Sequence, residues 1–326
     1  MSLLDRISAR RSRTTRPAFV ATAGGHLMEM RMMAAMLEPE RHQDAIWITH
    51  PAPQSSSMLS GETTFLVEHI YPRDWRSVLV HAPGLLKILR DNDVDRVYST
   101  GAALALAVLP ASRLVGARPR YIESLARVGR PSMTGQVLRL VPWVPVYTQY
   151  AHNASRRWKY EFSLLDAFTT VEASGTRPTR VFVTLGTQQD YFFRRLVERL
   201  LQVLPPEIEV VWQTGAGDVP GLPISTVGVI SHEEFRATVR WADVVIAHAG
   251  VGTLLTCLDG GKVPVVVPRR AAFDEHVDDH QVQIASVAAA QGLAISCEAD
   301  ELTMEHLDRA AARRAVRVTP GAGSAG

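Results

Sequence analysis

The stretch from His248 to Gln281, HAGVGTLLTCLDGGKVPVVVPRRAAFDEHVDDHQ, decides the fold of the C-terminal half. It follows the apolar run DVVIA and contains a glycine turn, a helical segment and a second apolar run, VPVVVP. A strand, a turn, a helix and another strand form the repeating unit of a parallel sheet covered by helices. Ligands bind such sheets beyond the carboxyl ends of the strands, so we expect both polar ends of the stretch to face a binding cleft.

The same alternation recurs in both halves of the chain. PAFVATA runs into Gly24 and Gly25 and then into HLMEMRMMAAML, while RVFVTLGT ends at Gly186 before YFFRRLVERLLQVL. We therefore predict an α/β protein with two doubly wound, Rossmann-like domains that face a cleft. The expected divisions are a basic arm at 1–16, an N-terminal domain at 17–170, a linker at 171–179, a C-terminal domain at 180–316 and a disordered tail at 317–326.

The composition of the chain indicates which kinds of partner and which cellular compartment to expect. The net charge of +2 gives no reason to expect nucleic-acid binding, but five arginines stand against one acid in the basic arm. Such an arm either contacts anionic lipid headgroups or is simply solvated. Two cysteines are too few for a disulfide framework, which favours a reducing cytoplasm. We expect no secretory leader, because the N-terminus lacks an apolar core segment, and no membrane span, because Pro and Arg interrupt the most apolar runs.

The first polar element of the opening stretch, His248 to Thr253, indicates an anion site. Gly250 and Gly252 let backbone amides approach an anion, and the helix that follows directs its positive end toward that anion. A diphosphate fits such a site. A tight turn between strand and helix, without any ligand, is the alternative.

The second polar element lies where the next helix is predicted to begin. Asp279, His280 and Gln281 offer a carboxylate, an imidazole and a carboxamide, which suit the recognition of sugar hydroxyls. His276 and His280 stand four residues apart and leave a metal site as an alternative, although a zinc-protease helix would need a Glu between them. Hydroxyl-binding groups beside a diphosphate site predict a nucleotide sugar.

Taken together, these elements resemble a known family. VFVTLGT, HAGVGT, GKVPVVVPRR and EHVDDHQ are similar, in this order, to the C-terminal domain of the family 28 glycosyltransferases, in its Alg13-type branch. ATAGGHLMEM and YIESLARVGRPSMTGQVLRLVPWVPVYTQY resemble the Alg14-type acceptor domain. The resemblance spans about residues 17–315 and implies a GT-B fold, with a UDP-sugar in the C-terminal domain and a lipid-linked acceptor in the N-terminal domain.

The resemblance also implies roles for individual residues of the C-terminal half. The donor site would comprise Gly186, Thr187, His248, Gly250, Gly252, Thr253, Glu275, His276, Asp279, His280 and Gln281. No metal or other cofactor is expected, because backbone amides and the helix dipole would stabilise the leaving UDP. Related enzymes often place a ribose-binding Glu seven residues before the proline of the GKxP turn, where this chain has Cys257. Either another residue contacts the ribose or the nucleotide is held differently.

The N-terminal half would supply the catalytic base. An inverting transfer needs a base for the acceptor hydroxyl, and His26 is our first choice because its imidazole titrates near neutral pH. Glu29, one helical turn further on, would orient the imidazole or serve as base itself. Capping of its own helix, or binding of an acceptor phosphate, is the alternative role of His26.

Further residues of this half would bind the acceptor. The predicted acceptor site comprises Gly24, Gly25, Glu123, Ser124 and Arg127. Arg127 would pair with the acceptor's diphosphate, with a structural salt bridge as the alternative. The segment RPSMTGQVLRLVPWVPVY would lie in a lipid interface, or else form a buried helix and a core strand.

The sequence therefore predicts an inverting, metal-independent hexosyltransferase of bacterial polysaccharide or glycoconjugate synthesis. It would move a sugar from a UDP-sugar, UDP-GlcNAc among the candidates, to a polyprenyl-diphosphate-linked saccharide. We expect it at the cytoplasmic membrane face, in peripheral contact with anionic lipid. The rivals are a UDP-sugar epimerase of the same architecture and a non-catalytic subunit that presents the acceptor.

Overall fold

A computed structural model describes residues 15–71, 73–174, 177–186, 192–215, 221–275 and 280–318. The chain divides into two compact units. Unit 1 takes its described residues from the segments up to 55, 59–124 and 131–161, and unit 2 takes its own from 56–58, 125–130 and 162 onward. No helix in the described ranges is long and apolar enough to cross a membrane.

Unit 1 is built on a seven-stranded sheet in the order β3-β2-β1-β4-β5-β6-β7, in which every neighbouring pair is parallel. Its strands are β1 Arg16–Val20, β2 Ile46–Thr49, β3 Thr63–Leu66, β4 Val94–Ser99, β5 Arg118–Ile122, β6 Val146–Thr148 and β7 Trp158–Tyr160. Its helices are α1 Gly25–Leu37, α2 Pro53–Met58, α3 Trp75–Asp91, α4 Ala102–Val108 and α5 Met133–Leu138, of which α2 ends in residues grouped with unit 2.

Both faces of this sheet are covered. On one face Phe19 packs against the rings of Trp47 and Tyr98, and on the other Ala18 and Val20 join the main apolar cluster of the unit. Burial on both faces explains why the central strands read as continuous apolar runs rather than as an alternating pattern.

Unit 2 contains a six-stranded parallel sheet in the order β11-β10-β9-β12-β13-β14, and a separate two-stranded pair, β8 and β15. Its strands are β8 Phe168–Glu172, β9 Arg180–Thr184, β10 Glu209–Gln213, β11 Thr226–Val227, β12 Val244–His248, β13 Val265–Val267, β14 Ile295–Ser296 and β15 Arg313–Arg317. Its helices are α6 Arg194–Val203, α7 His232–Trp241, α8 Val251–Asp259, α9 His280–Ala290 and α10 Met304–Ala311. The predicted α/β class with parallel sheets is confirmed.

The junction between the units lies earlier than the linker expected at 171–179. Residues 168–172 form β8, which pairs antiparallel with β15 over five residues, from Phe168 opposite Arg317 to Glu172 opposite Arg313. This long-range pairing groups the chain from residue 162 onward with unit 2. It also gives Arg317, the first residue of the expected tail, a place in a strand.

Candidate active site

The candidate donor site lies at the carboxyl ends of three adjacent strands of unit 2. Leu185 and Gly186 follow β9, Ala249 and Gly250 follow β12, and Arg269 lies two residues beyond β13. Gly250 is the N-cap of α8, and Gly252 and Thr253 lie in the first helical turn, where both are partly exposed. The structure therefore brings the two predicted glycine turns to the same edge of the sheet, beside a helix N-terminus that favours an anion.

The imidazole of His248 is enclosed by these two turns. A Cβ at Gly186 would lie 2.8 Å from both Cε1 and Nε2 of the ring, and a Cβ at Gly250 would overlap Nε2. The ring also places Nδ1 3.4 Å from the Thr184 carbonyl oxygen. Gly186 has a φ of +82°, which favours glycine by itself, whereas Gly250 has a φ of −81° that any residue adopts. A side chain at position 250 would therefore displace the neighbouring ring.

Two predicted donor-site residues make hydrogen bonds inside unit 2. Glu275 is buried, accepts a hydrogen bond of 3.0 Å from the Arg270 amide and pairs with Arg195 at 3.1 Å. Gln281 is buried as well, and its Oε1 accepts from the Arg269 amide at 3.1 Å. These contacts fix the turn after β13 and the start of α9. Contact of Glu275 and Gln281 with the donor stays a prediction.

Three other donor-site predictions, Thr187, His276 and Asp279, lie outside the described residues. His280 is the first residue of α9 and is half-buried. Across the described ranges no group of three or more His, Cys, Asp or Glu side chains is placed to hold a metal ion. The alternative of a metal at His276 and His280 is left untested, because one of its two ligands is not described.

Cys257 faces the apolar core of unit 2. Its side chain is fully buried in a cluster with Phe182, Phe235 and Val239, and burial raises the pKa of the thiol to about 12. A nucleotide cannot contact a side chain enclosed in this way. A ribose contact must therefore come from a position other than 257.

In unit 1, His26 lies where two adjacent strands end. It follows Gly24, the N-cap of α1, whose φ is +89° and whose missing Cβ would meet no atom within 4 Å. The hydroxyl of Thr100, just after β4, donates to the His26 carbonyl oxygen at 3.0 Å. A Cβ at Gly101 would lie 3.0 Å from His26 Cε1. Thr100 and Gly101 therefore belong to this site.

The predicted partner of His26, Glu29, belongs to a buried hydrogen-bond network. Its carboxylate is 1% exposed, and it accepts from Ser124 Oγ at 2.7 Å and from Gln149 Nε2 at 3.0 Å. The structure thus brings together a predicted catalytic residue and a predicted acceptor residue. A carboxylate this buried is closed to an acceptor hydroxyl, which favours a supporting role for Glu29 over the role of base.

Glu123 organises the loop after β5. Its carboxylate accepts hydrogen bonds from the Tyr121 hydroxyl at 2.9 Å, from the Ser124 amide at 3.1 Å and from both the amide and the hydroxyl of Ser132. Burial raises the pKa of this carboxyl despite these bonds. Arg127, further along the loop, is half-buried and is grouped with unit 2. Contact of Glu123, Ser124 and Arg127 with an acceptor stays a prediction.

Comparison with known proteins identifies the C-terminal half. Residues 180–315 match the model of the glycosyltransferase family 28 C-terminal domain. This half is a family 28 glycosyltransferase domain. It contains β9 to β14 and both glycine turns of the candidate donor site.

Relatives extend the similarity beyond the family 28 domain. The UDP-N-acetylglucosamine–N-acetylmuramyl-(pentapeptide) pyrophosphoryl-undecaprenol N-acetylglucosamine transferase of Synechococcus sp. (strain CC9311) is 27% identical over 296 residues, which cover 82% of this chain and 79% of that protein. The transferase of the same name from Dechloromonas aromatica (strain RCB) is 24% identical over 83% of this chain and 76% of its own. That of Xanthomonas euvesicatoria pv. vesicatoria (strain 85-10) is 28% identical over 66% of this chain and 51% of its own.

Solved structures show the same fold. MurG of Acinetobacter baumannii superposes with a TM-score of 0.55 at 20% identity, covering 90% of this chain and 89% of its own. The glycosyltransferase SnogD from Streptomyces nogalater has a TM-score of 0.54 at 18% identity, with 91% and 90% covered. The predicted GT-B class and the family 28 type are confirmed, while the Alg13 and Alg14 branches stay a resemblance.

Proposed function

We propose that this chain is an inverting glycosyltransferase that moves a sugar from a UDP-sugar to a polyprenyl-diphosphate-linked acceptor. The observation that carries the proposal is the donor site of the family 28 domain. Two glycine turns at adjacent strand ends enclose His248 beside the N-terminus of α8. The relatives that align with most of this chain are named as UDP-N-acetylglucosamine transferases acting on an undecaprenol-linked saccharide, which makes UDP-GlcNAc the first donor to test.

The donor half of the reaction rests on α8. The amides of Gly252 and Thr253 lie in the first turn, where the helix dipole favours negative charge, whereas the amide of the N-cap Gly250 donates to the His248 carbonyl oxygen at 2.7 Å. As the bond between the anomeric carbon and the diphosphate oxygen breaks, charge develops on the leaving UDP. Fixed amides at a helix N-terminus stabilise that charge without reorganising. The proposed mechanism therefore assigns no step to a metal ion.

The acceptor half of the reaction rests on His26. The acceptor hydroxyl oxygen forms the new bond to the anomeric carbon on the face opposite the leaving UDP, and its proton passes to the imidazole. The open space beside Gly24 and the bond from Thr100 to the His26 backbone support this role. Base catalysis of this kind contributes about 100-fold to 10,000-fold to a rate.

Exposed apolar side chains on unit 1 support peripheral contact with a membrane. Four large apolar side chains are exposed around the start of α3: Tyr71, Trp75, Leu79 and Val80, of which the last two are each 74% exposed. Isolated exposed apolar residues are ordinary, but several in a short segment indicate a surface that binds another apolar phase.

The segment at residues 130–147 has an exposed part and a buried part. Leu140 and Trp143 are exposed, with Leu140 at 73%, whereas Val144 and Val146 are fully buried. We propose that the exposed part adds to the membrane contact and that β6 belongs to the core.

The test is transfer to a defined acceptor. The full chain is incubated with UDP-GlcNAc, UDP-glucose, UDP-galactose or UDP-glucuronic acid and a polyprenyl-diphosphate saccharide, with and without EDTA. We expect one donor to be consumed only when acceptor is present, at a rate that EDTA leaves unchanged. Loss of transfer in EDTA would overturn the metal-independent mechanism. Conversion of a UDP-sugar without acceptor would identify an epimerase, and acceptor binding without turnover would identify a presenting subunit.

A further inference from the structure

Arg269 lies behind the candidate donor site and was given no role by the sequence motifs. Its side chain is 1% exposed, and Nη2 donates to the Leu185 carbonyl oxygen at 2.5 Å. Its backbone amide donates to Gln281 Oε1 at 3.1 Å. One residue thus joins the turn after β9, the turn after β13 and the start of α9.

The bond to Leu185 determines where the next amide points. The carbonyl oxygen of Leu185 and the amide hydrogen of Gly186 belong to one planar trans peptide, so they point in opposite directions. Because the buried guanidinium holds the carbonyl oxygen on its own side, the Gly186 N–H is directed the other way, out of the guanidinium pocket. The φ of +82° at Gly186 shows that the chain turns sharply at this peptide.

The charge of Arg269 is also unusual for a buried group. Within the part of the chain that the structure describes, Nε is buried without a hydrogen-bond partner, and no carboxylate stands in ion-pair contact with the guanidinium. Glu275 is a nearby acid, but its oxygens bind Arg195 and the Arg270 amide. Burial therefore lowers the pKa of Arg269 to about 10, an effect that the attraction of Glu275 only partly offsets. A buried cation is costly unless an anion approaches it.

We propose that Arg269 is a positioning residue for the donor diphosphate. It aims the Gly186 amide, holds the start of α9 through Gln281, and supplies buried positive charge that the diphosphate offsets. The proposal rests on the proposed function, since it names the part of the UDP-sugar that this residue serves. Loss of the Arg269 side chain should therefore weaken the binding of the diphosphate and leave the binding of the uracil and the ribose unchanged.

The test compares the affinities of UDP and uridine, measured by calorimetry on the full chain. The variants are Arg269→Lys, which keeps the charge but cannot reproduce the guanidinium geometry, and Arg269→Met, which removes the charge. Arg270→Met is the matched control, because Arg270 pairs with Glu298 on the partly exposed side of the same turn at 2.7 Å. Melting temperatures establish that each variant is folded.

We expect UDP to bind about 10-fold more weakly to Arg269→Lys and about 100-fold more weakly to Arg269→Met, as for the loss of hydrogen bonds to a charged group. Uridine affinity and the acceptor KM stay within about twofold of the wild type, and the donor KM rises with the UDP Kd. Arg270→Met keeps the wild-type ratio of UDP to uridine affinity.

A folded Arg269→Lys or Arg269→Met protein with the wild-type ratio would overturn the proposal. If the wild-type chain itself bound no UDP, the proposed function would fail instead, so the two failures are distinguishable.

Discussion

Gly250→Ser tests whether the glycine of the HAGVGT motif is needed by the donor or by His248. Serine is a preferred N-cap, and the φ of −81° and ψ of 130° at Gly250 suit it, so α8 itself would gain from the change. A Cβ at this position, however, would overlap Nε2 of His248 and lie 2.9 Å from Cε1 and 3.1 Å from Cδ2. Carbon contacts are ordinarily about 3.5 Å or longer, so the ring must retreat by at least about 0.6 Å at Cε1.

The displacement of the His248 ring determines how much stability Gly250→Ser loses. Displacing a packed side chain typically costs about 1–3 kcal/mol, and a domain of this size loses about 2–4 °C per kcal/mol. We therefore expect Gly250→Ser to melt about 2–12 °C below the wild type. Gly186→Ala should cost more, because its Cβ meets the same ring at 2.8 Å and its φ of +82° adds about 1–2 kcal/mol for any residue with a Cβ.

The decisive measurement is the same pair of substitutions in a His248→Ala background, with melting temperature as the assay. Without the ring, Gly250→Ser should become neutral or stabilising, because only its favourable N-cap effect remains. Gly186→Ala should keep the cost of its positive φ. If Gly250→Ser destabilised the His248→Ala protein as much as it does the wild type, the packing argument would be refuted.

Three further predictions concern titratable groups. His26→Gln should lower kcat by about 100-fold or more at unchanged UDP affinity, and a kcat within threefold of the wild type would remove His26 as base. The melting temperature of Glu123→Gln should rise relative to that of the wild type as the pH increases from 4 to 7. Burial raises the folded-state pKa of Glu123 above its ordinary 4.5, so ionisation of this carboxyl destabilises the wild type. Parallel curves of melting temperature against pH for the two proteins would contradict this. Asp243→Asn should lower the melting temperature at pH 7, with an effect that shrinks toward pH 2. Burial alone raises the pKa of Asp243, but bonds from Arg180 and Thr179 lower it from 3.8 to about 2, so the stabilisation is lost as pH falls through that range.

The sequence predicts the fold well where the signal is local. An apolar run, a glycine and an amphipathic run each lie within a few residues, and parallel strands order their carboxyl ends without further information. The junction between the units depends instead on β8 and β15, which pair across residues 168–172 and 313–317. Neither segment reveals that partner by its own pattern, so the linker was expected too late in the chain.

The roles of buried polar residues could not be predicted from the sequence. Glu29 and Glu123 stand in motifs that suggest chemistry, yet each carboxylate accepts hydrogen bonds from its own unit. A motif shows that an acid is present but not whether its oxygens are already engaged. The opposite error arises at Arg269. Two arginines after an apolar run suggest a solvent-exposed pair, yet the first of them, Arg269, is buried.

The two units place a histidine beside a glycine turn in the same way. In unit 1 the ring of His26 stands against Gly101, and in unit 2 the ring of His248 stands against Gly186. In each case the glycine follows a neighbouring strand. Gly101 follows β4, which lies beside the strand β1 that precedes His26, and Gly186 follows β9, which lies beside the strand β12 that ends at His248. A glycine in such a turn therefore has two structural roles: it adopts a positive φ, and its missing Cβ leaves room for the histidine ring. Loss of UDP affinity on substitution of Gly186 is therefore evidence of phosphate binding only if it persists in the His248→Ala background, where the ring no longer meets the new Cβ.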